Sequence, residues 1–188
     1  MIRSLALLSL MFLGAATTHA DTPLPGDSVY RLEAALVDQD ARPVAFPALR
    51  GKVRIASIFY SSCPYVCPMI IETIRRVEKQ LDPAARARLE VALVSLDPER
   101  DDPPTLKKTA KERHVDETRW RLLRAEPSDV RKIAAVLGVQ YRQLENRDFN
   151  HSSALVLLDA DGHVLARSST IGEPDPVFVA AVKAALSR

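Results

Sequence analysis

Two short apolar runs with an amphipathic helix pattern between them constrain the fold of this chain more than any other feature. The runs, residues 52–60 and 89–96, are nearly continuous and rich in β-branched side chains, which is typical of strands buried on both faces. Between them, apolar residues recur at helical spacing, at Ile70, Ile74, Val77 and Leu81. Strand, helix and strand in this order predict a right-handed βαβ unit with parallel strands.

Three further helices are predicted from their end signals. One begins at Asp102, ahead of two prolines, and continues through His114. A second is capped by Ser128 and ends at Gly138, and the last starts at Asp175, again followed by proline. We expect these helices to cover a sheet.

Two more strands are predicted near the end of the chain. Residues 154–158 and 163–167 are apolar runs on either side of Asp159-Ala160-Asp161-Gly162, which is a strong hairpin signal. The order of all these elements predicts an α/β fold with a central mixed sheet flanked by helices.

The first twenty residues have the layout of a secretory signal peptide. Arg3 precedes an apolar stretch, and Thr18-His19-Ala20 offers small residues at the predicted cleavage site. The stretch is shorter than the roughly 20 residues that a membrane span needs. We therefore expect residues 1–20 to be a signal peptide for export to the periplasm, and residues 21–188 to form one domain without a membrane span.

Composition excludes several classes of partner. The formal net charge is +2, and acidic and basic residues are interspersed along the chain. No basic patch for nucleic acid or for a polybasic membrane contact is indicated. We expect a monomer.

The only two cysteines lie close together, in the segment Cys63-Pro64-Tyr65-Val66-Cys67-Pro68. This segment falls between the first predicted strand and its helix, at the carboxyl edge of the sheet, where α/β folds bind ligands. The positive end of the helix is expected to lower the pKa of at least one thiol. Two helix starts fit the segment: Pro68, with Cys67 as N-cap, or Pro64, with the sulfurs one turn apart.

A structural disulfide is one interpretation of an even cysteine count in an exported protein. Closing so small a loop constrains the unfolded chain by only about 2 kcal/mol, which a domain of this size does not need. The position of Cys63 and Cys67 between strand and helix favours chemistry at these thiols instead.

His151 is the candidate third member of the same site. His114 and His163 are expected to be structural, one at a helix end and one after a hairpin turn. His151 directly precedes a predicted strand, and the similarity of the element order to thioredoxins implies a loop there that faces the cysteines. Two thiolates and one imidazole suit copper better than structural zinc, which normally takes a fourth protein ligand that is not evident here.

The chain resembles proteins of the Sco/SenC family over nearly its whole length after the signal peptide. Three ordered motifs carry the resemblance: Phe59-Tyr60-Ser61-Ser62-Cys63-Pro64-Tyr65-Val66-Cys67-Pro68, Ser95-Leu96-Asp97-Pro98-Glu99-Arg100-Asp101-Asp102-Pro103, and Asn150-His151-Ser152-Ser153. The resemblance implies a thioredoxin-like fold and copper bound by Cys63, Cys67 and His151. It also implies a role in building the dinuclear copper centre of cytochrome c oxidase.

The chain also departs from the family pattern. The family often has an acidic residue between the cysteines, where this chain has Tyr65. Many members are membrane-anchored, whereas this chain is expected to be released. No chemistry is assigned from the residues to the segment that begins at Ser95, which is predicted to be a strand end, a turn and a helix start.

Several functions fit these residues. The first hypothesis is a periplasmic copper metallochaperone that delivers copper to the copper-accepting subunit of cytochrome c oxidase or to another copper protein. The second is a thiol-disulfide reductase in which Cys63 and Cys67 cycle between dithiol and disulfide, acting on the cysteines of a copper-site partner. A redox or copper sensor uses the same residues, and a peroxidase is less favoured. Whether the protein is an enzyme stays open at this point.

Overall fold

The computed structural model describes residues 23–187, so the predicted signal peptide lies outside the described residues. Nine strands occur in this part of the chain: β1 (Ala35–Asp38), β2 (Pro43–Ala45), β3 (Arg54–Phe59), β4 (Glu90–Ser95), β5 (Trp120–Ala125), β6 (Tyr141–Gln143), β7 (Phe149–His151), β8 (Leu155–Leu158) and β9 (Val164–Ser168). Five α-helices accompany them: α1 (Val66–Glu78), α2 (Pro83–Arg88), α3 (Pro103–Glu112), α4 (Pro127–Val136) and α5 (Pro176–Leu186).

Seven of the strands form one mixed sheet in the order β2-β1-β5-β4-β3-β8-β9. The three central strands β3, β4 and β5 are parallel, and the outer strands pair antiparallel. Helix α1 packs against β3, α3 against β1 and β5, and α5 against β8 and β9. The predicted α/β class, with a central mixed sheet flanked by helices, is confirmed.

The predicted βαβ unit is the centre of this sheet. Strands β3 and β4 pair in parallel from Arg54 opposite Glu90 to Phe59 opposite Ser95. Every residue of β3 is buried, as the continuous apolar run predicted. The carboxyl ends of both strands therefore reach the same edge of the sheet, and the cysteine segment follows β3 at that edge.

Helix starts follow the predicted signals in two cases and differ in a third. Asp102 and Asp175 accept hydrogen bonds from the backbone at the starts of α3 and α5, as predicted. The prediction that Ser128 caps a helix is wrong, because α4 already begins at Pro127 after Glu126. Proline at the first helical position presets the backbone one residue before the serine. Gly138 follows α4 with a φ of 70°, as its predicted place at the helix end requires.

Several elements were not predicted from the sequence. Strand β5 was missed because Arg121 and Arg124 interrupt its apolar run. In the structure Arg121 is exposed, and the Arg124 guanidinium donates to the Pro98 carbonyl. The short strands β1, β2, β6 and β7 and the short helix α2 carry too few periodic residues to predict.

The end of α1 is tied to the start of β5 through a buried carboxylate. Glu78 Oε1 accepts from the Trp120 indole N–H at 3.2 Å and from the Arg119 guanidinium at 2.7 Å. Trp120 and Glu78 are both buried, so neither group can exchange this contact for water.

Among residues 23–187, no helix is both long enough and apolar enough to cross a bilayer.

We expect Glu78→Ala to lower the free energy of unfolding by about 2 kcal/mol, because it leaves the indole N–H of Trp120 buried without a partner. Urea unfolding followed by the fluorescence of the single tryptophan measures this loss. The control is Glu72→Ala on the same helix, which removes exposed ion pairs and should change stability by less than about 0.5 kcal/mol. Equal losses in the two variants would contradict the assignment.

Candidate metal centre

The cysteine turn leaves β3 at its carboxyl end and enters α1. The Cys63 N–H donates to the Tyr60 carbonyl at 3.3 Å, which closes a tight turn after the strand. Helix α1 begins at Val66, so Cys67 is its second residue, and both predicted helix starts, at Pro64 and at Pro68, are wrong. Pro68 is accommodated in the first turn because the first N–H groups of a helix have no partner within the helix.

Backbone N–H groups point at both sulfurs. The Cys67 N–H donates to the Cys63 Sγ at 3.4 Å, and the Tyr60 N–H donates to the Cys67 Sγ at 3.4 Å. Both cysteines are free thiols and nearly buried, with 6% of Cys63 and 3% of Cys67 exposed. The pair is thus held at the sheet edge by backbone N–H groups of Cys67 and Tyr60, without a disulfide.

The two thiols have opposite pKa shifts. Burial is the largest influence on Cys63 and raises its pKa, but the N–H groups of Cys67 and Tyr65, with the Cys67 thiol and the Tyr60 hydroxyl, outweigh it and lower the pKa overall. The predicted lowering at one thiol is confirmed. Burial raises the pKa of Cys67 well above the ordinary range, and the nearby Cys63 and Asp101 charges add to this. Cys63 is therefore the thiol that ionises first.

His151 ends a strand, so the predicted loop at this position is wrong. It is the last residue of β7, which pairs with β6 so that His151 lies opposite Tyr141. The reason is local pairing: the chain turns back after Gln143 and forms a two-stranded sheet separate from the central one. Such short, polar strands give no apolar alternation in the sequence.

Tyr60 links the cysteine turn to His151. Its buried ring packs edge-on against the His151 ring, with centroids 5.9 Å apart, and against the Phe149 ring at 5.2 Å. Its backbone N–H holds the Cys67 sulfur. Burial, followed by its interaction with Cys63, raises the pKa of Tyr60 to about 12, so its hydroxyl stays protonated.

The three predicted ligands are neighbours without forming a closed set. Cys63 and Cys67 lie together, and the His151 ring contacts the ring of Tyr60, whose N–H donates to the Cys67 sulfur. Within the described part of the chain, no group of three His, Cys, Asp or Glu side chains is arranged to hold a metal ion.

One nitrogen of His151 makes a hydrogen bond, which leaves the other with a free lone pair. Its Nδ1 lies 3.1 Å from the Ser152 carbonyl oxygen. Because a carbonyl oxygen can only accept, Nδ1 carries the hydrogen in this contact, and Nε2 keeps its lone pair. Metal-binding histidines commonly donate their other N–H to a carbonyl in this way.

Sequence reasoning missed a buried carboxylate under the turn. Asp101 is fully buried, and it accepts from the Ser61 N–H at 3.0 Å and from the Ser61 and Ser95 hydroxyls. Its segment was part of a matching motif, but no chemistry was assigned to it. The only sequence signal was an acidic residue shortly after a buried strand, and this pattern does not distinguish a buried acid from a surface turn.

Exposed apolar side chains lie next to the two cysteines along the chain. Tyr65 is 77% exposed and Met69 is 43% exposed, and Val66 between them is also exposed.

His163 lies elsewhere, with its Nδ1 2.8 Å from Asp159, whose hydrogen bond raises the pKa of the imidazole. The expected structural role of His163 agrees with this contact.

Comparison with known proteins identifies the relatives of this chain. The sequence model of the SCO1/SenC family matches residues 27–187. The SCO1 protein homolog of Bacillus subtilis is 28% identical over 131 residues, or 68% of this chain. The chain spans 67% of the length of that relative and 35% of the length of a Stutzerimonas stutzeri relative.

Solved structures share the fold. BsSco, described as a member of the Sco family of cytochrome c oxidase assembly proteins with a disulfide switch, has a TM-score of 0.69 and 24% identity, over 83% of this chain and 92% of that chain. ScoI of Bradyrhizobium japonicum with copper bound has a TM-score of 0.64 and 23% identity, over 84% and 97%. The predicted thioredoxin-like fold is confirmed. The match over almost all described residues establishes that this chain belongs to the SCO1/SenC family.

Proposed function

We propose that this protein carries copper as cargo on Cys63, Cys67 and His151 and hands it to a copper-accepting protein during the assembly of cytochrome c oxidase. The observation that carries the proposal is the reduced thiol pair at the sheet edge, next to Tyr60. The Tyr60 N–H donates to the Cys67 sulfur, and the Tyr60 ring packs against the His151 imidazole. Relatives support it, because ScoI holds copper and BsSco belongs to an oxidase assembly family.

The donor chemistry favours copper. Thiolates select copper(I), and adding an imidazole gives a set that also accepts copper(II). Cys63 supplies the first thiolate because its pKa is lowered, and metal binding then displaces the proton of Cys67 despite its raised pKa. Copper affinity should therefore rise with pH as the second thiol is deprotonated.

Closure of the site requires His151 to approach the sulfurs. The free Nε2 of His151 is the nitrogen that would bind, while Nδ1 keeps its contact with the Ser152 carbonyl. His151 lies on the short β6 and β7 pair, which is not paired with the central sheet, so a shift of this pair breaks no strand pairing of β3 but changes the ring contacts of His151 and Phe149 with Tyr60. The cysteines stay fixed while the histidine completes the set.

Handover is favoured by the surface around the thiols. The sulfurs are almost covered, but Tyr65, Val66 and Met69 stand exposed beside them. An acceptor that contacts these side chains brings its own ligands to the cysteine turn. Because this chain supplies three ligands instead of four, one coordination position is left at which a ligand of the acceptor can bind.

A thiol-disulfide reductase is the second candidate, and the unequal thiols favour it. A lowered pKa at Cys63 suits an attacking thiolate, and a raised pKa at Cys67 suits a resolving thiol that stays protonated until a mixed disulfide forms. The two functions exclude each other at any moment, because copper needs free thiolates and a disulfide has none. The same exclusion would let the protein act as a sensor.

The site of action proposed is the periplasm, after export directed by residues 1–20. The acceptor proposed is the copper subunit of the oxidase or another periplasmic copper protein. The protein is proposed to act as a monomer.

Copper titration of the reduced protein tests the main proposal. We expect one copper per chain, with thiolate-to-copper charge-transfer absorption for copper(II), and loss of that absorption in His151→Ala. The control is His114→Asn, which changes a histidine outside the site at a left-handed φ of 49° that asparagine tolerates. An unchanged spectrum in His151→Ala would remove this histidine from the ligand set.

Thiol alkylation tests the inequality of the cysteines. Because the pKa of Cys63 is lowered and that of Cys67 is raised, the rate at Cys63 should level off at a lower pH than the rate at Cys67. Peptide mapping by mass spectrometry after timed alkylation across a pH series separates the two. A lower midpoint for Cys67 would overturn the assignment of Cys63 as the attacking thiol.

A further inference from the structure

A fully buried carboxylate lies where the carboxyl ends of β3 and β4 separate. Asp101 Oδ2 accepts from the Ser61 N–H at 3.0 Å and from the Ser95 hydroxyl at 2.5 Å, while Oδ1 accepts from the Ser61 hydroxyl. Ser95 is the last residue of β4, and Ser61 comes shortly after β3. The side chain thus joins the two strand ends beneath the cysteine turn.

The hydrogen bonds suit an ionised carboxylate. The Ser61 N–H can only donate, and the Ser95 oxygen already accepts from the Asp97 N–H, which leaves its hydroxyl free to donate to Asp101. Within residues 23–187, no ion pair includes Asp101, whereas the neighbouring buried Asp97 pairs with Arg100. The negative charge of Asp101 is therefore stabilised by hydrogen bonds and is not neutralised by a cation.

Hydrogen bonds to Ser61 connect this charge to the segment that carries both thiols. Ser61, which Asp101 holds through two hydrogen bonds, follows Tyr60, whose N–H donates to the Cys67 sulfur, and precedes Cys63 by two residues. The turn itself, from Cys63 to Pro68, contains no acidic residue. The buried carboxylate is thus a fixed negative charge bonded to the segment that enters the cysteine turn, and water does not screen it.

Such a charge acts unequally on the two oxidation states of copper. Two thiolates and a neutral imidazole around copper(I) carry a net charge of minus one, whereas the same donors around copper(II) are neutral. A buried anion repels the first arrangement and not the second. We propose that Asp101 biases copper bound by Cys63, Cys67 and His151 toward the oxidised ion, and that its hydrogen bonds to Ser61 hold the cysteine turn in place. This inference rests on the proposed function.

Affinity measurements with Asp101→Asn test the proposal. Asparagine keeps an oxygen acceptor for the Ser61 N–H and the Ser95 hydroxyl, and its amide can donate to the Ser61 hydroxyl, so only the charge is lost. Copper(I) and copper(II) affinities are measured on the reduced protein, by competition with a chelator of known affinity for each ion. We expect the ratio of copper(I) to copper(II) affinity to rise about tenfold or more, with one copper per chain retained.

Asp102→Asn is the matched control. Asp102 is the next residue and carries the same charge, but it is exposed and caps α3, a role that asparagine fills equally well. The affinity ratio of this variant should stay within about twofold of the unchanged protein, because water screens an exposed charge. An equal shift in both variants would overturn the proposal in favour of a general charge effect.

Ser95→Ala provides a second test if Asp101→Asn does not fold. It removes one donor but keeps the carboxylate, so the bias toward copper(II) should persist or increase, and a shift toward copper(I) would overturn the proposal. An unchanged ratio in a folded Asp101→Asn variant also overturns it, while the proposed function stands. If the unchanged protein binds no copper at all, the proposed function fails and the inference fails with it.

Discussion

The parallel pairing of β3 and β4 is the interaction on which the rest of this structure depends. Both strands are buried along almost their whole length, so their backbone groups must pair with each other and with the flanking strands. Because the pairing is parallel, both strands end at one edge of the sheet. The cysteine turn follows β3 at that edge, and the segment with Asp101 follows β4. A single pairing thus brings two thiols and a carboxylate together.

Electrostatics at this edge arises from two kinds of contact. Local N–H groups at the start of α1 favour a thiolate at Cys63, although burial opposes it. The buried charge of Asp101 acts the other way, since it disfavours further negative charge near Cys67. One thiol is prepared for chemistry while the second resists ionisation until a metal or a disulfide partner arrives. This division suits the proposed function, in which the site both holds copper and releases it.

The fold was predictable wherever one segment carried its own signal. Residues of β3, β4, β8 and α1 show apolar runs or helical spacing, and Asp102 and Asp175 indicate helix starts. Strand β5 was not predictable, because its arginines are accommodated by an exposed position and by the distant Pro98 carbonyl. Strand β7 could not be predicted either, because it exists only through pairing with β6. The first case depends on a contact distant in sequence, and the second depends on a neighbouring strand that is as short and polar as β7 itself.

For the site, the sequence by itself determined the reactive atoms, and only the tertiary structure decided how they are arranged. The spacing of Cys63 and Cys67 between a strand and a helix was enough to place two thiols at a sheet edge. It did not place His151 against the Tyr60 ring, and it gave no sign that Asp101 is buried. The physical reason is that side-chain type and local spacing are encoded residue by residue. Burial and electrostatic environment, in contrast, exist only once β3 and β4 have paired and the segments that follow them have met.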